Sequence, residues 1–310
     1  LKWEETTTWN AGIDFGFLNG RIAGSIDYYK RKTKDLLTFA NYAAGSNLTN
    51  MGNMNLGDLE NEGIEFNINT RPIVSRDFTW SSALNVAWNR NKITRLADGA
   101  DTTTGGIGNG VNIQKHEVGH TAFSFYVFEQ VYDDNGNPLE GVFVDRNGDG
   151  VLTDADKYLY HSRDPKVTLT WNNNFNWKNW DLGIVLRANI GNWMYNSTQK
   201  DNVFASATSK VPMSNLMADT YIFQSTRTTE LICSDYFVQN ASFLRCDNIT
   251  LGYTWPDLLN DNLRLRLYGA VQNPFVITKY KGLDPEVFSG IDNDVYPRPI
   301  TVSVGVVATF

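Results

Sequence analysis

Cysteine is nearly absent from this 310-residue chain, and its two copies, Cys233 and Cys246, form neither a CxxC pair nor any other metal-type spacing. A disulfide framework is thereby excluded; both thiols read as free, and whether they meet is a matter for the fold. Positive charge is in deficit, 27 Lys+Arg against 34 Asp+Glu for a net charge of -7, so the electrostatic footprint of a nucleic-acid binder is missing. No run approaches the roughly 18 apolar residues of a membrane-crossing helix. The chain starts at Leu1 without Met or a signal peptide and reads as an excerpt of a longer protein. There is no nucleophile elbow and no phosphate-binding loop, and no carboxylate pair can be nominated, so no enzyme is expected. With 25 Gly and 9 Pro among residues that are 42% hydrophobic and 20% charged, disorder, collagen and coiled coil are excluded as well.

Aromatic residues are plentiful at 13%, although mean hydropathy is only -0.34. They are interleaved with polar residues at period two. From Trp9 through Ala11, Ile13 and Phe15 to Phe17, odd residues are apolar and even ones polar or glycine, which gives a strand one greasy and one polar face. Ile64, Phe66 and Ile68 repeat the pattern, as do Trp80 to Trp88, Val167 to Trp171, Trp180 to Leu186, Ile249 to Trp255 and Leu263 to Leu267. The final run, Ile300, Val302, Val304, Val306, Ala308 and Phe310, ends the chain on an aromatic, and this resembles the closing strand of bacterial outer-membrane proteins.

Connections alternate in length. Leu18-Asn19-Gly20-Arg21, Pro72 to Arg76, Lys178-Asn179 and Pro256 to Asp261 are short, and Asn-Gly accepts the positive φ of a primed hairpin turn. The others, near Lys32 to Leu59, Asn91 to Pro165, Tyr195 to Asn240 and Phe275 to Val295, are too long for a compact soluble domain. Sandwich strands average about five or six residues, whereas these sustain alternation for about 9 to 13, the reach needed to cross a bilayer at a tilt. The expected fold is all-β: part of an antiparallel transmembrane β-barrel with short periplasmic turns, long extracellular loops, and girdles from Trp80 with Trp88, Trp171 with Trp177 and Tyr253 with Trp255. About nine strands put the first and last parallel, so unless His120 to Val131 hides another, further strands are expected before Leu1. The alternative is a soluble calcium-dependent carbohydrate-binding β-sandwich.

One segment carries specific chemistry. Asp145-Arg146-Asn147-Gly148-Asp149-Gly150-Val151 with Asp156 has the spacing of a calcium loop: oxygens at positions 1, 3 and 5, glycine at 6, the Val151 carbonyl at 7 and an acid at 12. Asp145, Asn147, Asp149, Val151 and Asp156 are the expected ligands of a structural Ca2+, and Asp in place of the usual Glu at position 12 implies weak affinity. His116 and His120 are four apart, but Gly119 disfavours a helix that would join them, and they read as polar loop residues. The acceptor strings Asn47-Leu48-Thr49 and Asn248-Ile249-Thr250 are short enough to arise by chance. Tyr126, Phe128, Trp193 and Phe204 offer rings for stacking, although aromatics in loops more often pack the loops themselves, so no substrate residue is nominated.

Several strings taken together resemble one family. Met51-Gly52-Asn53-Met54-Asn55-Leu56-Gly57 with Asn61-Glu62-Gly63-Ile64-Glu65, the stretch Val142 to Gly150, Asp164-Pro165-Lys166-Val167, Ser242-Phe243-Leu244-Arg245 running to Gly252-Tyr253, and Asn273-Pro274-Phe275 with Leu283-Asp284-Pro285-Glu286 are similar, in order, to SusC/RagA-type TonB-dependent transporters of Bacteroidota outer membranes. The resemblance implies that residues 1–310 are the C-terminal part of one barrel domain of about 22 strands, with the plug domain upstream of residue 1. It also implies uptake of oligosaccharides or oligopeptides with a SusD-like surface lipoprotein and with energy from TonB, in a wall bathed by outer-membrane lipid.

Overall fold

The computed structural model describes residues 1–41, 45, 48, 51–97, 102–108, 110–203, 233–258, 263–293 and 295–310. Nine strands form one antiparallel sheet: β1 (Glu5–Phe17), β2 (Ile22–Asn41), β3 (Met51–Val74), β4 (Phe78–Leu96), β5 (Val167–Trp177), β6 (Trp180–Ile190), β7 (Phe243–Leu258), β8 (Leu263–Thr278) and β9 (Thr301–Thr309). Their spatial order is their chain order, so each strand pairs with its sequence neighbours and the sheet is an open arc of barrel wall. β1 and β9 run the same way at its two edges. The expected strand in His120 to Val131 does form, at Ser124–Val127, but it belongs to a small separate sheet and adds nothing to the wall.

The short turns have the geometry their residues favour. Asn19 and Gly20 both take positive φ (54° and 78°), and the Arg21 amide donates to the Leu18 carbonyl at 3.2 Å, which closes a primed turn. Trp177 pairs with Trp180 across Lys178-Asn179. At the other end the strands outrun the bilayer: β2, β3 and β4 have 20, 24 and 19 residues, against the roughly 9–11 that suffice to cross. The segment read as a loop from Lys32 to Leu59 is therefore mostly paired strand, up to Asn41 opposite Met51. Glycosylation at Asn47-Leu48-Thr49 falls partly outside the described residues, and Asn248 lies inside β7 with its amide donating to Thr250 Oγ1 at 2.9 Å.

Period-two alternation survives as two faces. On the outward face Ile13, Ile26, Phe66, Val86 and Leu169 align in register across five strands. Val302, Val304 and Val306 are 70%, 77% and 62% exposed, because no second sheet packs on them among the described residues, and the sandwich alternative fails on this point. The inward face is polar: Asn67 donates to Asn85, and Arg266 reaches Asp181 at 2.9 Å. Trp180, Tyr253 and Trp255 meet edge-to-face at 4.8 and 4.7 Å near the periplasmic turns, as a girdle should. Trp171 departs from that expectation. It lies in the row of Leu84 and Leu186, where its indole N–H donates to Ser82 Oγ at 2.8 Å, while Trp80 donates to Asn173 Oδ1 at 3.1 Å. Two polar side chains on the apolar face are thus satisfied by indoles.

Leu169→Arg is expected to destabilise the folded full-length protein by about 2–4 kcal/mol, because it sets a charge in hydrocarbon, whereas inward-facing Thr168→Arg should cost little. Urea unfolding followed by heat-modifiable gel migration measures both; equal losses would refute the assignment of faces.

Candidate functional site

The buried core of this chain sits in the connections beyond the wall. Ile113, Phe125, Val127, Tyr195, Val203, Cys233, Phe237, Val238 and Ile291 pack together there. Three small sheets frame them. Thr103–Gly106, Asn112–Lys115, Ser124–Val127 and Tyr158–Ser162 make one; Trp193–Asn196 between Val238–Asn240 and Ile291–Asp292 makes another; Gln130–Tyr132 with Pro138–Phe143 makes the third. A short helix, α1 (Ser197–Asn202), is capped by Asn196, whose Oδ1 accepts from the Gln199 amide at 2.8 Å. Cys233 and Cys246 are both buried and are not joined to each other by a disulfide.

Six charged side chains fasten the connection between β8 and β9 to the wall. Arg187 on β6 bonds Asp247 at 2.9 Å and Glu286 at 2.5 Å; Arg245 on β7 bonds Asp284 at 2.6 Å with both groups about 95% buried; Arg298 bonds Asp284 at 3.0 Å and Glu286 at 3.1 Å. The bulge between Cys246 and Asn248 places Asp247 beside this cluster. Arg245 and Asp284 are the dry pair, and charges so buried persist only when paired, whereas Arg187, Asp247, Glu286 and Arg298 keep part of their surface in solvent. A chain spacing of 99 residues between Arg187 and Glu286 hid the arrangement from sequence reasoning, although Leu244-Arg245 and Asp284-Pro285-Glu286 lie in strings already singled out.

The calcium-type loop is ordered by its own amides. Asp145 Oδ1 and Oδ2 accept from Gly148 and Gly150 at 2.7 and 2.8 Å, Asn147 Oδ1 from Asp149 at 3.0 Å, and Asp149 Oδ1 from Val151 at 2.8 Å. Asp156 is fully buried and accepts from Arg146 at 3.0 Å and Thr153 at 2.8 Å; these amides, with Thr153 foremost, hold its carboxyl below the usual carboxylate range. Gly148 and Gly150 take φ of 73° and 79°, which side-chain-bearing residues resist. No three His, Cys, Asp or Glu side chains converge on a metal position among the described residues. The oxygen types suit calcium, while the carboxylates are not gathered as a preformed cage.

The remaining candidates pack the loops. Tyr126 donates to the Asp154 carbonyl at 2.8 Å, Phe128 is 2% exposed, and Trp193 stacks on His161 at 3.6 Å; Phe204 lies outside the described residues. His116 meets Phe123 edge-to-face at 4.6 Å, and burial together with Arg163 depresses its pKa, whereas His120 approaches Glu117 at 3.9 Å. The two histidines share no metal position. Arg163 is itself clamped over Phe123 at 3.5 Å.

An open wall of long antiparallel strands, apolar outside and polar within, with folded loops fastened at one end, defines an outer-membrane β-barrel protein. Residues 1–127 match the family profile "TonB dependent receptor-like, beta-barrel". The whole chain is 47% identical over 324 residues to TonB-dependent receptor SusC of Bacteroides thetaiotaomicron, and 95% of it is 31% identical to TonB-dependent receptor P3 of Formosa agariphila; it spans 32% of each. It also superimposes in full on 36% of a chain from the structure of the RagAB peptide transporter, with a TM-score of 0.80 at 23% identity. The chain belongs to the SusC/RagA type of TonB-dependent receptors, and its sheet is part of such a barrel wall.

Arg245→Met leaves buried Asp284 with Arg298 as its one remaining cation among the described residues, beside the Glu286 amide that donates to it at 2.9 Å, and breaking a buried pair of this kind costs about 3–5 kcal/mol. Hydrogen exchange in residues 279–300 should accelerate; unchanged protection would refute the fastening. Because Asp156 has a depressed pKa, its contribution to closing the loop is present above the ordinary carboxylate value of 3.8 and disappears as pH falls through the lower folded value. Amide protection at Arg146 and Thr153 should therefore be flat from pH 7 to 5 and lost only in stronger acid; a loss near pH 6 would contradict it.

Proposed function

We propose that this chain is the C-terminal wall of a SusC-like importer whose plug domain lies upstream of residue 1. It takes oligosaccharides or oligopeptides across the outer membrane beneath a SusD-like surface lipoprotein, with TonB supplying energy through the upstream part. The observation that carries the reading is 47% identity to SusC along the whole chain. The fold-level likeness to a peptide transporter is why peptides stay beside glycans as candidate cargo. A vestibule built of packed, charge-fastened loops suits a surface against which a lid closes. Positioning and release are the whole of its chemistry, with no covalent step.

Co-purification of the full-length protein with a SusD-like lipoprotein of the same organism, followed by growth of a deletion strain on defined glycans and peptides, tests this. Loss of growth on one polymer class, restored by the gene, is expected; a protein that binds no such lipoprotein and whose deletion leaves growth on every polymer intact would overturn it.

Calcium at Asp145, Asn147, Asp149, the Val151 carbonyl and Asp156 belongs to the same proposal, as a brace for the loop. Asp145 and Asp156 hold positions 1 and 12 of the loop spacing, and a cation would draw their oxygens together as the loop tightens around it. Affinity of the extracellular kind, about 10⁻⁴–10⁻³ M, is expected. Titration calorimetry should give heat with the native protein and none with Asp156→Ala, while EDTA leaves the barrel folded. Absence of binding at millimolar Ca2+ removes the brace and leaves the transporter reading intact.

A further inference from the structure

The outward face of β2, β3 and β4 changes character abruptly along its length. Up to the row formed by Ala11, Tyr28, Ile64 and Trp88 it is apolar; Tyr28, Ile64 and Trp88 are 42%, 45% and 37% exposed. The next outward row toward the long connections holds Trp9, Lys30, Glu62 and Arg90, the one after it Thr7, Lys32, Glu60 and Lys92, and Lys34 follows opposite Glu5. Within these rows five cations stand against three carboxylates on a surface that continues the lipid-facing wall, and at its far end Asp58, itself paired with Arg95, acts electrostatically on Lys34. Lys30 and Lys32 are engaged by Glu60 at 2.5 and 3.3 Å. Lys34, Arg90 and Lys92 are exposed, and none of them takes an ion pair among the described residues.

Cross-strand pairing alone would call for charge balance, whereas these rows carry two more cations than carboxylates and leave Lys34, Arg90 and Lys92 without an ion pair among the described residues. Their position decides what they meet. They lie one to three outward rows, about 7 to 20 Å along the strand, beyond the last apolar row, on the outside of the barrel and at its extracellular end. That is the headgroup layer of the outer leaflet, where cations next to anionic lipid are favoured. Tyr28 and Trp88 beneath them are amphipathic rings of the kind that sit at this boundary.

We propose that Lys34, Arg90 and Lys92, backed by Lys32, form a binding strip for the phosphate groups of an outer-leaflet lipopolysaccharide, whose acyl chains lie along Ile64, Phe66, Val86 and Trp88. The strip anchors one glycolipid against the outside of the wall and fixes the height of β2 to β4 in the membrane. It rests on the outer-membrane location of the wall and is independent of what the barrel transports.

The test uses the full-length receptor in detergent and purified lipopolysaccharide with phosphorylated lipid A, alongside the same lipid after enzymatic dephosphorylation, with native mass spectrometry reading the bound lipid. Wild type should hold the phosphorylated lipid about tenfold more tightly than the triple variant Lys34→Gln, Arg90→Gln, Lys92→Gln, and the dephosphorylated lipid should bind wild type at the variant's level. Arg31→Gln, on the inward face of β2, should bind as wild type does. The lipid comparison needs no variant and so stands whether or not the triple variant folds. Equal retention of the two lipids by wild type, or equal binding by wild type and a folded triple variant, would overturn the proposal. So would displacement of the lipid by millimolar inorganic phosphate, which would mark a generic anion site.

Discussion

In hydrocarbon an unpaired peptide N–H or C=O has no water to turn to, and a spanning sheet survives only if every strand hydrogen-bonds on both sides. The remaining features of this chain follow from that requirement. Continuous pairing from β1 to β9 in chain order holds the backbone flat and forces side chains to alternate between lipid and lumen. The same requirement explains why Ser82 and Asn173 are tolerated on the apolar face. Each accepts an indole N–H from a neighbouring Trp, so the polarity is cancelled within the wall.

Outside the hydrocarbon the physics reverses. The described parts of the long connections meet water, and they build what the wall lacks: a buried core around Phe125, Tyr195 and Phe237, three small sheets, and a loop whose carboxylates accept its own amides. Arg187, Arg245 and Arg298 then tie this layer to the barrel through Asp247, Asp284 and Glu286. Buried ion pairs contribute little net stability compared with apolar packing, but they penalise any arrangement that separates them. For loops that sit above the wall, this selectivity for one loop position counts for more than net energy.

The nine wall strands, the primed turn at Asn19-Gly20 and the outward run from Ile300 to Ala308 were legible because period two and turn chemistry are local. The family was legible in strings such as Phe243-Leu244-Arg245 for a related reason: those residues sit where strand and loop must meet. Strand length was not legible. β2 and β3 continue through Lys32 and Leu59 on charged and polar residues that read as loop, because above the membrane both faces are wet and alternation no longer reports a strand. The girdle role given to Trp171 failed likewise, since an aromatic at a strand residue says nothing of its depth until register is known.

Sequence by itself determined that this chain is a membrane-type β wall of SusC/RagA kind, and it spelled out a calcium-type loop, because alternation, turns and ligand spacing are properties of neighbouring residues. Only the tertiary structure decided that Arg187 meets Glu286, that Tyr126, Phe128 and Trp193 pack the loops, and that Lys34, Arg90 and Lys92 share one outward strip. Those groupings join residues tens of positions apart through strand register, and register is a collective outcome of pairing across the whole sheet.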